Sequence, residues 1–161
     1  MHHGAPIDVI HRDIKGENIL LGEDGEIKLG DFGWSNCRGS DGGRSTYCGT
    51  PEYIAPELLE GKRYGQEVDL WSIGILMFEL MTGDTPFNPT GCESRESWHK
   101  MLNENIRKND PVFPDYYPEC ARRLTSNLLR KNPEDRPNIK QVKSDPWWQE
   151  NFVFFEDEVD L

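Results

Sequence analysis

His11-Arg12-Asp13-Ile14-Lys15-Gly16-Glu17-Asn18 is followed by Ile19-Leu20-Leu21, Gly22-Glu23-Asp24-Gly25, Ile27-Lys28-Leu29 and Asp31-Phe32-Gly33. The reading of this stretch decides the fold. Its first eight residues crowd a base, two cations and an amide together. The two short β-favouring runs flank an Asp-Gly turn signal, which predicts a hairpin. Asn18 precedes the first strand and Asp31 follows the second, and paired strands lie about 5 Å apart. Both oxygen-bearing side chains therefore reach the open end of one hairpin. Two hard oxygen donors, too few for a cage, suit Mg²⁺, which keeps waters and takes further ligands from nucleotide phosphates. Asp13, on the preceding loop, is placed to accept a proton from an alcohol nucleophile.

Working outward, residues 34–50 are rich in Gly, Ser and Arg and poor in aliphatic side chains, which predicts a long loop. Helical patterning begins after Pro56. Residues 67–82 place Val68, Leu70, Trp71, Ile73, Ile75, Leu76, Met77, Phe78, Leu80 and Met81 on nearly every side of the wheel, the pattern of a buried central helix. Glu67 and Asp69 suit its start, and Gly83 with Pro86 its stop. Amphipathic stretches follow at 93–108, 118–131 and 137–143. The expected class is mainly α (α+β): one short hairpin, a long loop and a helical remainder around a central helix.

The chain has 161 residues, 18 Lys+Arg against 29 Asp+Glu, and a net charge of −11. That length fits one domain or less. The acidic balance argues against duplex nucleic acid, whose binding depends on cations neutralising phosphates, and favours basic partners. Glu156, Asp157, Glu158 and Asp160 mark an acidic tail over 149–161. Cys37, Cys48, Cys92 and Cys120 lack zinc spacing and read as free thiols of a reducing compartment. The N-terminus lacks the pattern of a secretory signal. Ile73 to Phe78, the longest apolar run, is far short of the roughly 20 residues of a membrane span. The expectation is a soluble intracellular protein, cytoplasmic or nuclear.

Asp13 with Asn18 resembles the catalytic loop of protein kinases, Asp31-Phe32-Gly33 their metal-binding triplet, and Ala55-Pro56-Glu57 the end of their activation segment. Three motifs in the right order and spacing carry the resemblance, which runs from about Val9 to Trp148. It implies a partial kinase domain over 1–148, transferring the ATP γ-phosphate to Ser/Thr hydroxyls, with ATP and Mg²⁺ as cofactors. In that role Asp13 is the base, Lys15 steadies the phosphoryl group, Asn18 and Asp31 hold metal, and Lys15 and Glu17 join them on the cofactor side. Thr50 braces Asp13 beside the substrate. Asp69 resembles the buried-helix aspartate that receives backbone hydrogen bonds from the catalytic loop. Arg136 resembles the arginine that pairs with Glu57, and His11 and Phe32 resemble spine residues; these roles are structural.

Lys15 and Gly49-Thr50 are similar to serine/threonine rather than tyrosine kinases. Trp34-Ser35 and Arg44-Ser45-Thr46-Tyr47-Cys48 resemble the Aurora kinases, whereas Pro51-Glu52-Tyr53-Ile54 is shared by many kinases. Gly16 departs from the usual proline, which implies a looser catalytic loop. The resemblance makes Thr46 a phosphate acceptor and Arg12 the cation that receives it. It also makes Glu17 a recogniser of arginine near the acceptor of a protein substrate, alongside a possible activating partner. The glycine-rich cover, strand lysine, helical glutamate and hinge that kinases place upstream of Val9 are not in this sequence. No substitute Gly-x-x-x-x-Gly-Lys-[Ser/Thr] loop replaces them. The expectation is a C-terminal lobe without its N-lobe, marginally soluble or partner-bound when alone, and a fragment of a kinase. The alternative is a non-catalytic kinase-like lobe that serves as a binding or regulatory module.

Overall fold

The computed structural model describes residues 9–34, 36–37 and 50–151. The predicted hairpin forms between β2 (Ile19–Leu21) and β3 (Ile27–Leu29), with Leu20 opposite Lys28. Gly25 has φ +85°, the left-handed conformation that its turn position requires. A second ladder was not foreseen. β1 (Val9–Ile10) pairs antiparallel with β4 (Asn36–Cys37), which lies within the stretch expected to be loop throughout. Two residues per strand give no periodicity to read, and the pairing rests on backbone hydrogen bonds between distant segments.

The helices are α1 (Pro56–Leu59), α2 (Glu67–Thr82), α3 (Arg95–Lys108), α4 (Glu119–Leu128), α5 (Ile139–Lys143) and α6 (Pro146–Asn151). Their ends follow local chemistry. Gly83 caps α2 in the left-handed region at φ +81°, and capping boxes of Ser94 with Ser97 and Asn138 with Gln141 open α3 and α5. Helix α6 carries Trp147 and Trp148. The acidic residues at 156–160 lie outside the described residues.

Helix α2 is the axis of the core. On one side Trp71, Ile75 and Leu76 pack with Ile10, Ile14, Tyr53, Phe87, Leu102 and Leu129. On the other, Leu70, Met77 and Phe78 pack with Tyr117, Leu124, Leu128 and Val142. At Gly74 an added Cβ would lie 2.9 Å from Leu128 Cβ, so α4 approaches the α2 backbone directly. The helix is not buried all round, however. Leu80 is 76% exposed and belongs to neither packed cluster, although Met81 beside it packs against the second. Leu20, Leu21 and Ile27 of the hairpin are also exposed. Among the described residues, no helix is long and apolar enough to cross a membrane.

Candidate active site

Helix α2 fixes the loop between β1 and β2. The Asp69 carboxylate accepts the backbone N–H groups of His11 and Arg12, each at 2.8 Å. His11 then ties this loop to the hairpin end: its Nε2 donates to the Gly30 carbonyl at 3.0 Å, and its Nδ1 accepts the Asp13 N–H at 3.3 Å. One neutral tautomer, with the proton on Nε2, satisfies both contacts. The imidazole packs edge-on against Phe32, centroids 4.6 Å apart. Helix, loop and hairpin are thus joined around Asp13 and Asp31.

Asp13 is buried, and its carboxylate receives Asn18 Nδ2 at 2.9 Å and Lys15 Nζ at 3.2 Å. Asn18 Nδ2 also donates to the Asp13 carbonyl at 2.7 Å. Both amide hydrogens are then turned to the loop, which leaves Oδ1 as a metal-type oxygen donor. The Gly30 N–H donates to the Asn18 carbonyl at 2.8 Å, so the hairpin pairing continues past Ile19 and Leu29 to the residue before Asp31. Asp31, at φ +53°, is exposed and uses Oδ1 to accept the Gly33 N–H at 3.1 Å. No cluster of three His, Cys, Asp or Glu side chains forms a protein cage among the described residues. Asn18 Oδ1 and the Asp31 carboxylate are the hard oxygen donors at this end of the hairpin.

Thr50 meets this group indirectly. Lys15 Nζ donates to Thr50 Oγ1 at 2.9 Å, so the threonine braces Asp13 through Lys15. Arg12, at φ +68°, donates from Nη1 to Tyr64 Oη at 2.9 Å. Thr46 and Ser35 lie outside the described residues. Glu57 and Arg136 form a buried bidentate pair, with both N–O distances 2.7 Å, and Arg136 also donates to the carbonyls of Glu67, Arg130 and Lys131. Gly16, exposed, opens a short 3-10 helix ending at Asn18, with nothing within 4 Å of where a Cβ would stand.

Two residues of this region were not singled out from the sequence. The Tyr53 hydroxyl donates to Glu79 Oε2. Its pKa is raised, first by burial, then by the Glu79 hydrogen bond and charge, with the Glu17 charge adding and a Gly16 backbone hydrogen bond opposing. An acidic corner of Glu17 and Glu79 thus borders Tyr53, one loop away from Asp13. The signal in the sequence is Glu79 itself, the one charged residue between Asp69 and Asp84.

A buried carboxylate held by an amide and an ammonium thus stands beside the open end of a hairpin on a helical lobe. The protein kinase domain family matches residues 1–148, and the chain belongs to that family. It is 48% identical over 139 residues to the Aurora kinase of Schizosaccharomyces pombe, covering 86% of this chain and 37% of that protein. It is 43% identical over 143 residues to mouse Aurora kinase B, covering 89% and 39%. It is also 42% identical over 148 residues to the human hormonally up-regulated neu tumor-associated kinase, covering 90% and 20%. The chain thus spans well under half the length of these relatives.

Proposed function

We propose that this chain is the metal- and substrate-handling lobe of a serine/threonine protein kinase of Aurora type. The buried Asp13 carboxylate, aimed by Asn18 and Lys15, is the observation that supports this most directly. Asn18 Oδ1 and Asp31 would hold Mg²⁺, which would neutralise charge on the phosphates of ATP, the phosphoryl donor. Asp13 takes the proton from the substrate hydroxyl as its oxygen bonds to the γ-phosphorus and ADP leaves. Lys15 keeps a cation beside the transferred group, and Thr50 holds Lys15 in place. Glu17, with Glu79 and Tyr53 behind it, recognises arginine near the acceptor.

Arg12 receives a phosphate on Thr46 as its charge partner. Thr46→Ala should then lower the activity of the complete kinase, and equal activity would sink this role. The free thiols of Cys92 and Cys120 and the kinase relatives support an intracellular setting. The catalytic reading is tested by transfer from ATP to an arginine-bearing serine peptide. Asp13→Asn keeps the side-chain size but removes the base, and should lower kcat by ~10²–10⁴-fold. A variant with unchanged kcat would refute the assignment.

A further inference from the structure

Lys131, which follows α4, places Nζ 4.1 Å from the ring centroid of Phe87 and 5.1 Å from that of Trp71. The two rings are stacked, with centroids 5.6 Å apart and planes inclined by 10°. Trp71 is fully buried and Phe87 nearly so. Lys131 Nζ is itself buried without a hydrogen-bond partner, as are Trp71 Nε1 and Thr85 Oγ1. A second cation crowds the same ring, because the Arg136 guanidinium lies 5.1 Å from the Trp71 centroid while it is locked to Glu57.

Opposing forces act on the ammonium. The ring faces attract a cation, whereas loss of water disfavours one. Burial has the larger effect and pushes Lys131 down to about 8, with Asp110 countering and Arg136 adding. Asp110 comes from the segment after α3 and Arg136 from the loop before α5. Helix α2 and the segment after it supply the rings of Trp71 and Phe87.

We propose that Lys131 is a proton-sensitive strut, packing as an apolar wedge beside Trp71 and Phe87 when neutral and loosening the Trp71–Arg136–Glu57 anchor when protonated. A lysine in the unfolded chain stays protonated to about pH 10.4. Between about pH 8 and that value the unfolded chain therefore holds more protons than the folded one, and stability rises with pH. Below about pH 8 both states are protonated and the penalty is present in full.

Urea denaturation of this chain and of Lys131→Met at pH 7 and pH 9.5 tests the strut. The folding equilibrium constant of the native chain should rise about tenfold or more relative to the variant. A ratio that does not change with pH would overturn the proposal. Lysine Cε NMR of the folded native chain provides a measurement independent of variant folding. One signal should titrate with a midpoint near 8 and be missing in Lys131→Arg. A full set of lysine signals titrating near the ordinary value would overturn it equally.

Discussion

The Asp69 carboxylate accepts the backbone N–H of Arg12 at 2.8 Å, across 57 residues of chain, and Arg12 sits at φ +68°. A left-handed non-glycine residue costs about 1–3 kcal/mol unless its surroundings hold it. Here the central helix does so, and the same carboxylate also takes the N–H of His11. The loop is therefore held from α2 at His11 and Arg12, in addition to the contacts that its own His11 and Asn18 side chains make with Asp13.

Asp69→Asn follows directly from this contact. An amide of the same size turns one donor group towards the two backbone donors, so one hydrogen bond is replaced by a repulsive contact. The expected loss is about 1–3 kcal/mol of stability by urea denaturation. In the complete kinase, kcat should fall more than KM changes, since Asp13 is displaced while the peptide surface is not. An unchanged kcat would mean that the loop holds its shape without α2.

Glu57 and Arg136 provide a contrast between buried and exposed ion pairs. Both side chains are buried, with 2% and 0% exposure, and the guanidinium is shared with three backbone carbonyls. Glu57→Gln should cost about 3–5 kcal/mol, because a buried cation loses its counter-charge. At Arg123 and Asp145 the arginine is half exposed, and Arg123→Gln should cost less than about 1 kcal/mol. Matched denaturation curves check both values, and similar losses would contradict the burial argument.

The sequence was most legible where a local rule governs. The Asp-Gly turn marked the hairpin, and Gly83 marked the end of α2, because in both cases the chemistry of a few adjacent residues decides the conformation. The same two-strand geometry sets Gly30 opposite Asn18. What could not be read depends on distant contacts. The pairing of Ile10 with Asn36 leaves no pattern in either dipeptide. Leu80 continues the apolar run of α2 yet is exposed, since its burial depends on which elements reach that turn. Thr50 was expected to brace Asp13, and the Lys15 ammonium that stands between them could not be read from the sequence.

Glu79 was hidden in the same way, as an acid inside an apolar helix whose partner lies 26 residues earlier. Its hydrogen bond from Tyr53 and the Glu17 charge that also acts on Tyr53 make a negative corner. On the proposed reading, a substrate arginine beside the acceptor would gain from both carboxylates, whereas a substrate without arginine would gain from neither. Glu79→Gln and Glu17→Gln should therefore raise KM several-fold for arginine peptides, given about 0.5–1 kcal/mol or more for each partly exposed charge pair. Both should leave kcat, and KM for peptides lacking arginine, nearly unchanged. Steady-state kinetics with the two peptide series on the complete kinase make the comparison. An equal rise in KM for both series would show that these residues support the fold of the site rather than its choice of substrate.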